Sequence, residues 1–150
     1  MRFKCFLLLT SFFIVNLSSA FAQRDTLSGL WEGILTVESN EKILSRYHIF
    51  FSFSEENGSI TGASTIVYQE FSAKLSFSAT LKNKETLEIK ELEIVKADTL
   101  PSGEWCVKNI TMKRFFEKNK VIWRGEWNGK TSFSDCLPGK IYLTRAVQRA

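Results

Sequence analysis

Few residues of this chain have the types and spacing that catalysis requires. The 150 residues include one histidine and three cysteines. His48 falls on the polar side of an alternating segment beside Arg46, and no serine or cysteine stands in a nucleophile motif that would complete a triad with it. The sequence also lacks a paired-carboxylate motif, a phosphate-binding loop and a nucleophile elbow. We therefore expect no catalytic residues, and His48 is interpreted as a surface side chain.

Aromatic side chains are the residues best suited to a binding site. Trp105, Trp123 and Trp127 are candidates because rigid aromatic rings can stack against an apolar or aromatic ligand. Tyr47 and Phe51 share the inward phase of one alternating segment and join this candidate ligand-binding set. The alternative is that the rings only fill a core, because small barrels are often filled by their own side chains.

Glu91 is the one acidic residue singled out. Apolar alternation breaks near it, which predicts a β-bulge. A bulge there could turn Glu91 inward, where a paired carboxylate would orient the head of a ligand. The interpretation we favour at this point is that Glu91 is solvated.

The elements that position these residues are predicted to be strands. Period-two alternation is clearest over 71–82, where apolar residues alternate with serine, threonine and lysine. Asn57 and Gly58 fit a two-residue hairpin loop. Strands are predicted at 29–38, 43–54, 59–69, 71–82, 86–96, 105–116, 120–128 and 139–145.

An all-β, eight-stranded antiparallel up-and-down barrel follows, since the connections are too short for crossover helices and closure removes unpaired edges. The predicted interior consists of bulky apolar residues from most strands. They are Trp31, Tyr47, Ile49, Phe51, Phe53, Phe71, Leu75, Phe77, Val121, Trp123 and Trp127.

Residues 1–22 have the pattern of a secretory signal peptide. Arg2 and Lys4 precede an apolar run, and Ala20 and Ala22 form a small-x-small cleavage site. The run is shorter than the roughly 20 apolar residues that span a bilayer, so no transmembrane segment is predicted. We expect one domain over 23–150, secreted or periplasmic.

The charge balance argues against a nucleic-acid partner. Removing 1–22 takes away Arg2 and Lys4, which leaves 18 basic against 16 acidic residues and a net charge of +2. The basic residues alternate with acids and form no stripe that could bind phosphates. A solvated surface is the better interpretation.

The cysteines favour a disulfide over a metal. Cys106 and Cys136 are the pair that remains in the mature chain, and such a pair tends to form a disulfide in the oxidising environment of an exported protein. Cys106 lies at the start of the sixth predicted strand and Cys136 precedes the eighth, and these two strands start at the same barrel end. Two thiols and one histidine do not make a four-ligand zinc site, so neither a metal nor another cofactor is expected.

Gly29 and Trp31 on the first strand, the up-and-down strand pattern and Arg145 at the end of the last strand together resemble the calycin superfamily. This superfamily comprises lipocalins, fatty-acid-binding proteins and avidins, and the resemblance covers the whole mature chain. It implies that Trp31 lies at a closed barrel end under Arg145, both in structural roles. Segments 58–62 and 123–127 are more similar to avidins, while the Thr-Asp-Tyr motif of lipocalins is absent.

Three functions remain open at this point. The first is binding of a small hydrophobic or aromatic molecule without catalysis, and the second is a secreted interaction or inhibitor module that uses the loops of a filled barrel. The third, and weakest, is an enzyme that acts from a carboxylate in the lumen. An internal cavity would favour the first function over the second. No motif specifies an oligomeric state.

Overall fold

The computed structural model describes residues 26–147, and they form strands joined by turns and loops. The predicted signal peptide lies outside the described residues. The strands are β1 Gly29–Ser39, β2 Lys42–Glu56, β3 Ser59–Tyr68, β4 Phe71–Lys82, β5 Thr86–Ala97, β6 Val107–Glu117, β7 Lys120–Lys130 and β8 Gly139–Arg145.

Each strand pairs with the next along the chain, and β8 pairs with β1 to close the sheet. All pairings are antiparallel. The predicted eight-stranded antiparallel barrel is therefore confirmed. The main difference in bounds is at β6, which begins at Val107, so that Trp105 and Cys106 belong to the preceding loop instead of the strand.

The meander gives the barrel two distinct ends. One end, called here the loop end, carries the connections 40–41, 69–70, 98–106 and 131–138. The opposite turn end carries the start of β1, the end of β8 and tight turns such as Asn57-Gly58. Both residues of that turn have positive φ, 51° and 78°, which an asparagine-glycine pair adopts at low cost.

Inward-facing side chains alternate along the strands and fill the middle of the barrel. Phe51, Phe53 and Phe77 form a ring cluster with centroid separations of 4.9 to 5.6 Å. Eight predicted interior residues are buried: Trp31, Ile49, Phe51, Phe53, Leu75, Phe77, Trp123 and Trp127. The other three predicted interior residues are half-buried: Tyr47, Phe71 and Val121.

The seam between β1 and β8 is close and specific. Gly33 lies against the backbone of Tyr142, where any Cβ would collide with the carbonyl group. At the turn end, the Arg145 guanidinium lies 4.7 Å above the Trp31 ring. The same guanidinium donates to the carbonyl oxygens of Ser28, at 2.8 Å, and Thr26, which joins the segment before β1 to the end of β8.

The wall of the barrel is interrupted between β5 and β6. Their pairing covers only 86–90 on β5 and 109–113 on β6, so the rest of β5 is paired with β4 alone. Leu92 and Val95 have no partner in the β4 register, and each is an extra residue on β5. The bulge predicted near Glu91 is thus confirmed, and the region contains two such irregularities.

A disulfide anchors the 98–106 loop, which connects β5 to β6. Cys106, at the end of the 98–106 loop, is bonded to Cys136, just before β8, with a Cα–Cα distance of 6.4 Å. The predicted disulfide is confirmed. It joins two connections at the loop end and so holds the 98–106 loop against the start of β8.

Candidate functional site

A cavity of about 330 Å³ lies inside the barrel at the loop end. Its walls come from β1, β2, β3, β4, β6 and β7, and the 98–106 loop covers the side where β5 and β6 separate. Most of its lining is apolar or aromatic and includes Leu35, Val37, Tyr47, Ile66, Tyr68, Phe71, Leu100, Trp105 and Trp127.

The aromatic rings of the cavity are held in place by contacts with one another and with backbone carbonyl groups. Tyr47 and Tyr68 pack against each other with ring centroids 4.8 Å apart. The indole N–H of Trp127 donates to the Thr36 carbonyl at 2.8 Å, and that of Trp105 donates to the Asp98 carbonyl at 2.8 Å. Because both indole donors are satisfied by backbone, these tryptophans offer the cavity mainly apolar surface.

One charged residue on the cavity is buried. Lys108, on β6, is 2% exposed and lines the cavity. Its ammonium lies 2.8 Å from Glu91 Oε2 and donates to the Cys106 carbonyl at 2.9 Å. Glu104, the other charged residue of the lining, is exposed and accepts hydrogen bonds from Ser132 Oγ, at 2.7 Å, and Ser132 N, at 3.2 Å.

Glu91 is buried, so the favoured interpretation that it is solvated is wrong. The residue is 2% exposed. Its carboxylate accepts hydrogen bonds from the Ser64 hydroxyl at 2.6 Å and the Lys108 backbone N–H at 2.9 Å, and it forms an ion pair with the Lys108 ammonium. Burial is tolerated because the charge is paired and both carboxylate oxygens accept hydrogen bonds. Glu91 faces inward because it continues the inward phase of Leu87 and Ile89, and the bulge at Leu92 follows it.

Glu91 also explains where the ladder between β5 and β6 ends. The last paired residues are Lys90 and Asn109. The next backbone donor on β6, that of Lys108, turns to the Glu91 side chain instead of a β5 carbonyl. The carboxylate thus ends the ladder without leaving this buried N–H unpaired.

The structure brings together some predicted ligand-binding residues and separates others. Tyr47, Trp105 and Trp127 line the cavity, and Glu91 lies behind Lys108 without lining it. Phe51 is fully buried in the phenylalanine cluster. Trp123 lies toward the turn end and does not line the cavity. It is buried, and among residues 26–147 its indole N–H has no hydrogen-bond partner.

The different positions of Trp123 and Trp127 follow from strand geometry. The two residues share the inward phase of β7, yet they lie four residues apart along it, about 13 Å at the rise of an extended strand. Trp127 therefore reaches the loop end, while Trp123 pairs in register with Leu143 near the end of β8. Inward phase predicted burial of both, but it did not distinguish the two ends.

A second, more open groove of about 620 Å³ lies outside this wall. It runs between the free part of β5, represented by Ile94, and the 98–106 loop, and reaches Thr131 and Ser132. Trp105 lines both the groove and the cavity, so its ring belongs to the partition between them.

Lys108 and Ser64 are functional candidates that the sequence interpretation missed. Both have a detectable signal. Lys108 shares the inward phase of β6 with Ile110 and Met112, and Ser64 shares that of β3 with Ile60 and Ile66. A lysine and a serine in apolar phase on separate strands indicate a buried polar cluster, although only the barrel register shows that they meet.

His48 is exposed, and within 26–147 no group of three or more histidine, cysteine or acidic side chains is arranged to hold a metal ion. The same residues contain no helix long and apolar enough to cross a membrane. No protein-family model matches the chain, and no curated protein is significantly similar to it.

Proposed function

We propose that this chain is an exported, calycin-like barrel protein that binds a small apolar or aromatic molecule without catalysis. The observation that carries the proposal is the 330 Å³ cavity, whose described lining is mainly apolar and aromatic and includes one buried charged residue, Lys108. A mostly apolar pocket with few polar groups is the usual form of a small-molecule site, and its volume lies at the lower end of the range for such sites.

The size of the cavity is compatible with useful affinity. A ligand that loses about 150 Å² of apolar surface gains roughly 4 kcal/mol before the entropic costs of association. The rings of Tyr47, Tyr68 and Trp127 are already packed or hydrogen-bonded, so little side-chain ordering is needed on binding. The site is therefore preorganised for a rigid, compact ligand.

The direct test is titration with a neutral fluorescent dye such as phenylnaphthylamine. We expect saturable binding with quenching or a shift of tryptophan emission, because Trp105 and Trp127 line the cavity. Trp105→Ala should weaken binding about tenfold, as expected for loss of one aromatic anchor. Trp123→Phe, which alters an indole outside the cavity, is the control and should bind within about twofold of wild type.

Two results would contradict the binding proposal. The first is the absence of saturable binding to the wild-type protein for neutral, anionic and cationic dyes alike. The second is an equal loss of affinity in Trp105→Ala and Trp123→Phe, which would point to general loosening of the barrel instead of a site at the loop end.

Export is proposed on the predicted signal peptide together with the Cys106–Cys136 disulfide, since disulfides persist mainly in oxidising compartments. The mass of the protein isolated from the envelope or medium of its host should correspond to a chain that begins at Gln23. A chain that keeps residues 1–22 would contradict this proposal.

A secreted interaction module is the second candidate, favoured by the free edge of β5. Leu92 and Val95 are 54% and 58% exposed, and no described residue of β6 pairs with the backbone from 91 to 97. Exposed edges of this kind accept an extended peptide as an added strand. A partner that binds wild type but not Leu92→Lys/Val95→Lys, while dye binding is unchanged, would support this candidate.

A further inference from the structure

We infer that the cavity selects an uncharged ligand that carries one hydrogen-bond acceptor, such as a ketone, ester or amide, and that it discriminates against carboxylates. The inference rests on the proposed function, because it describes the head group of the molecule bound in the same cavity. It rests on two properties of the Lys108 ammonium, which has a donor to spare and a charge that is already neutralised.

The Lys108 ammonium has one donor to spare. An ammonium has three N–H groups. Among the described residues, two acceptors surround it, Glu91 Oε2 at 2.8 Å and the Cys106 carbonyl at 2.9 Å. Since Lys108 lines the cavity and its side chain is only 2% exposed, an acceptor atom on a bound molecule can complete the set.

The charge of this ammonium is already neutralised. Glu91 has a fully buried side chain and is held by Ser64 and the Lys108 backbone as well as by the ammonium. The pair is therefore neutral overall and fixed in place. A ligand carboxylate would add a third charge to a buried site without a matching cation, which is costly, whereas a carbonyl oxygen adds none.

A cationic head group is disfavoured for the complementary reason. It would meet the ammonium of Lys108, and Glu91 does not line the cavity. The exposed carboxylate of Glu104 lies at the rim and is engaged by Ser132. A neutral molecule with an acceptor at one end and an apolar body among the aromatic walls fits all of these contacts.

The test compares three compounds that share one ring system: naphthalene, its methyl ketone acetylnaphthalene, and naphthoate. Affinities are measured by displacement of the neutral dye and by calorimetry. For wild type we expect the ketone to bind about tenfold more tightly than naphthalene, the scale of one hydrogen bond to a charged donor. Naphthoate should bind about tenfold more weakly than the ketone or not at all.

Two variants separate the roles of charge and hydrogen bonding. Glu91→Gln removes the counter-charge, while its amide oxygen can accept from the backbone N–H of residue 108 and its NH2 can donate to the Ser64 hydroxyl. Naphthoate should therefore gain at least about tenfold and overtake the ketone. In Glu91→Gln/Lys108→Met neither charge remains, and the ketone should fall to the affinity of naphthalene. Trp123→Phe is the control that should leave the order of the three compounds unchanged.

The outcomes distinguish this inference from the proposed function. Naphthalene binding without any preference for the ketone would overturn the inference and leave the proposed function standing, as would tighter binding of naphthoate by wild type. Failure of all three compounds and of the dye would overturn the proposed function itself. If Glu91→Gln does not fold, the wild-type series and the doubly substituted protein still decide.

Discussion

Glu91 combines several tasks in one side chain. Its carboxylate accepts hydrogen bonds from the Ser64 hydroxyl and the Lys108 backbone N–H and forms an ion pair with the Lys108 ammonium. It therefore ends the β5–β6 ladder and positions a buried cation on the cavity. Removing one member of such a pair leaves an uncompensated charge, while replacing both can be nearly neutral. The residues of this cluster are therefore expected to be strongly coupled.

Lys108→Met should destabilise the protein by about 3–5 kcal/mol, because Glu91 would remain buried without its cation. Glu91→Gln/Lys108→Met should cost clearly less, since the amide can accept from the backbone N–H of residue 108 and donate to the Ser64 hydroxyl, and no charge remains. Urea denaturation of both variants measures the difference in the free energy of unfolding. Equal losses in the single and the double variant would contradict this coupling.

At the scale of elements, the barrel is held together most specifically where its first and last strands meet. Gly33 permits the close approach of β1 to β8, and Arg145 covers Trp31 at the turn end while bonding to the carbonyls of Ser28 and Thr26. These contacts join the two ends of the chain. The resemblance to calycins implied that Arg145 covers Trp31, and the structure shows this contact together with the hydrogen bonds that hold the guanidinium.

Arg145→Ala should lower the free energy of unfolding by about 1–2 kcal/mol, through loss of the cation–π contact and of packing on the Trp31 ring. Arg145→Lys should restore only part of it, because an ammonium lacks the planar fork that reaches two carbonyls. Thermal denaturation followed by tryptophan fluorescence is the measurement. A melting temperature for Arg145→Ala equal to that of wild type would show that this contact does not stabilise the closure.

At the scale of the whole molecule, the two barrel ends have different tasks. The turn end is filled and carries the strand closure, whereas the loop end encloses the cavity behind a long connection. The Cys106–Cys136 disulfide stabilises that connection just where β5 and β6 no longer pair. The disulfide therefore links the stability of the barrel to the shape of the cavity.

Cys106→Ala/Cys136→Ala should lower the free energy of unfolding by about 3–4 kcal/mol, the chain-entropy value for a loop of 30 residues. Dye affinity should fall as well, because the 98–106 loop supplies Trp105 to the cavity wall. Denaturation and titration of the same preparation measure both quantities. Unchanged dye affinity in the folded variant would show that the disulfide has no part in shaping the cavity.

Much of the fold was predictable from the sequence because its signals are local. Period-two alternation depends only on neighbouring residues, and the Asn57-Gly58 turn needs no distant contact. Seven connections without room for crossover helices join eight such strands, which leaves an up-and-down barrel as the compact way to bury one apolar face and remove the edges. The disulfide followed from strand order, which puts Cys106 and Cys136 at one end.

The cavity was decided by tertiary structure. Glu91, Lys108 and Ser64 lie on three strands, and their meeting depends on the registers of β3, β4 and β5 and on where the pairing of β5 with β6 ends. Trp123 and Trp127 share a phase but not a barrel end. Sequence periodicity determined which side chains face inward, whereas register and strand separation, which depend on contacts distant in the chain, determined which of them surround a ligand-sized space.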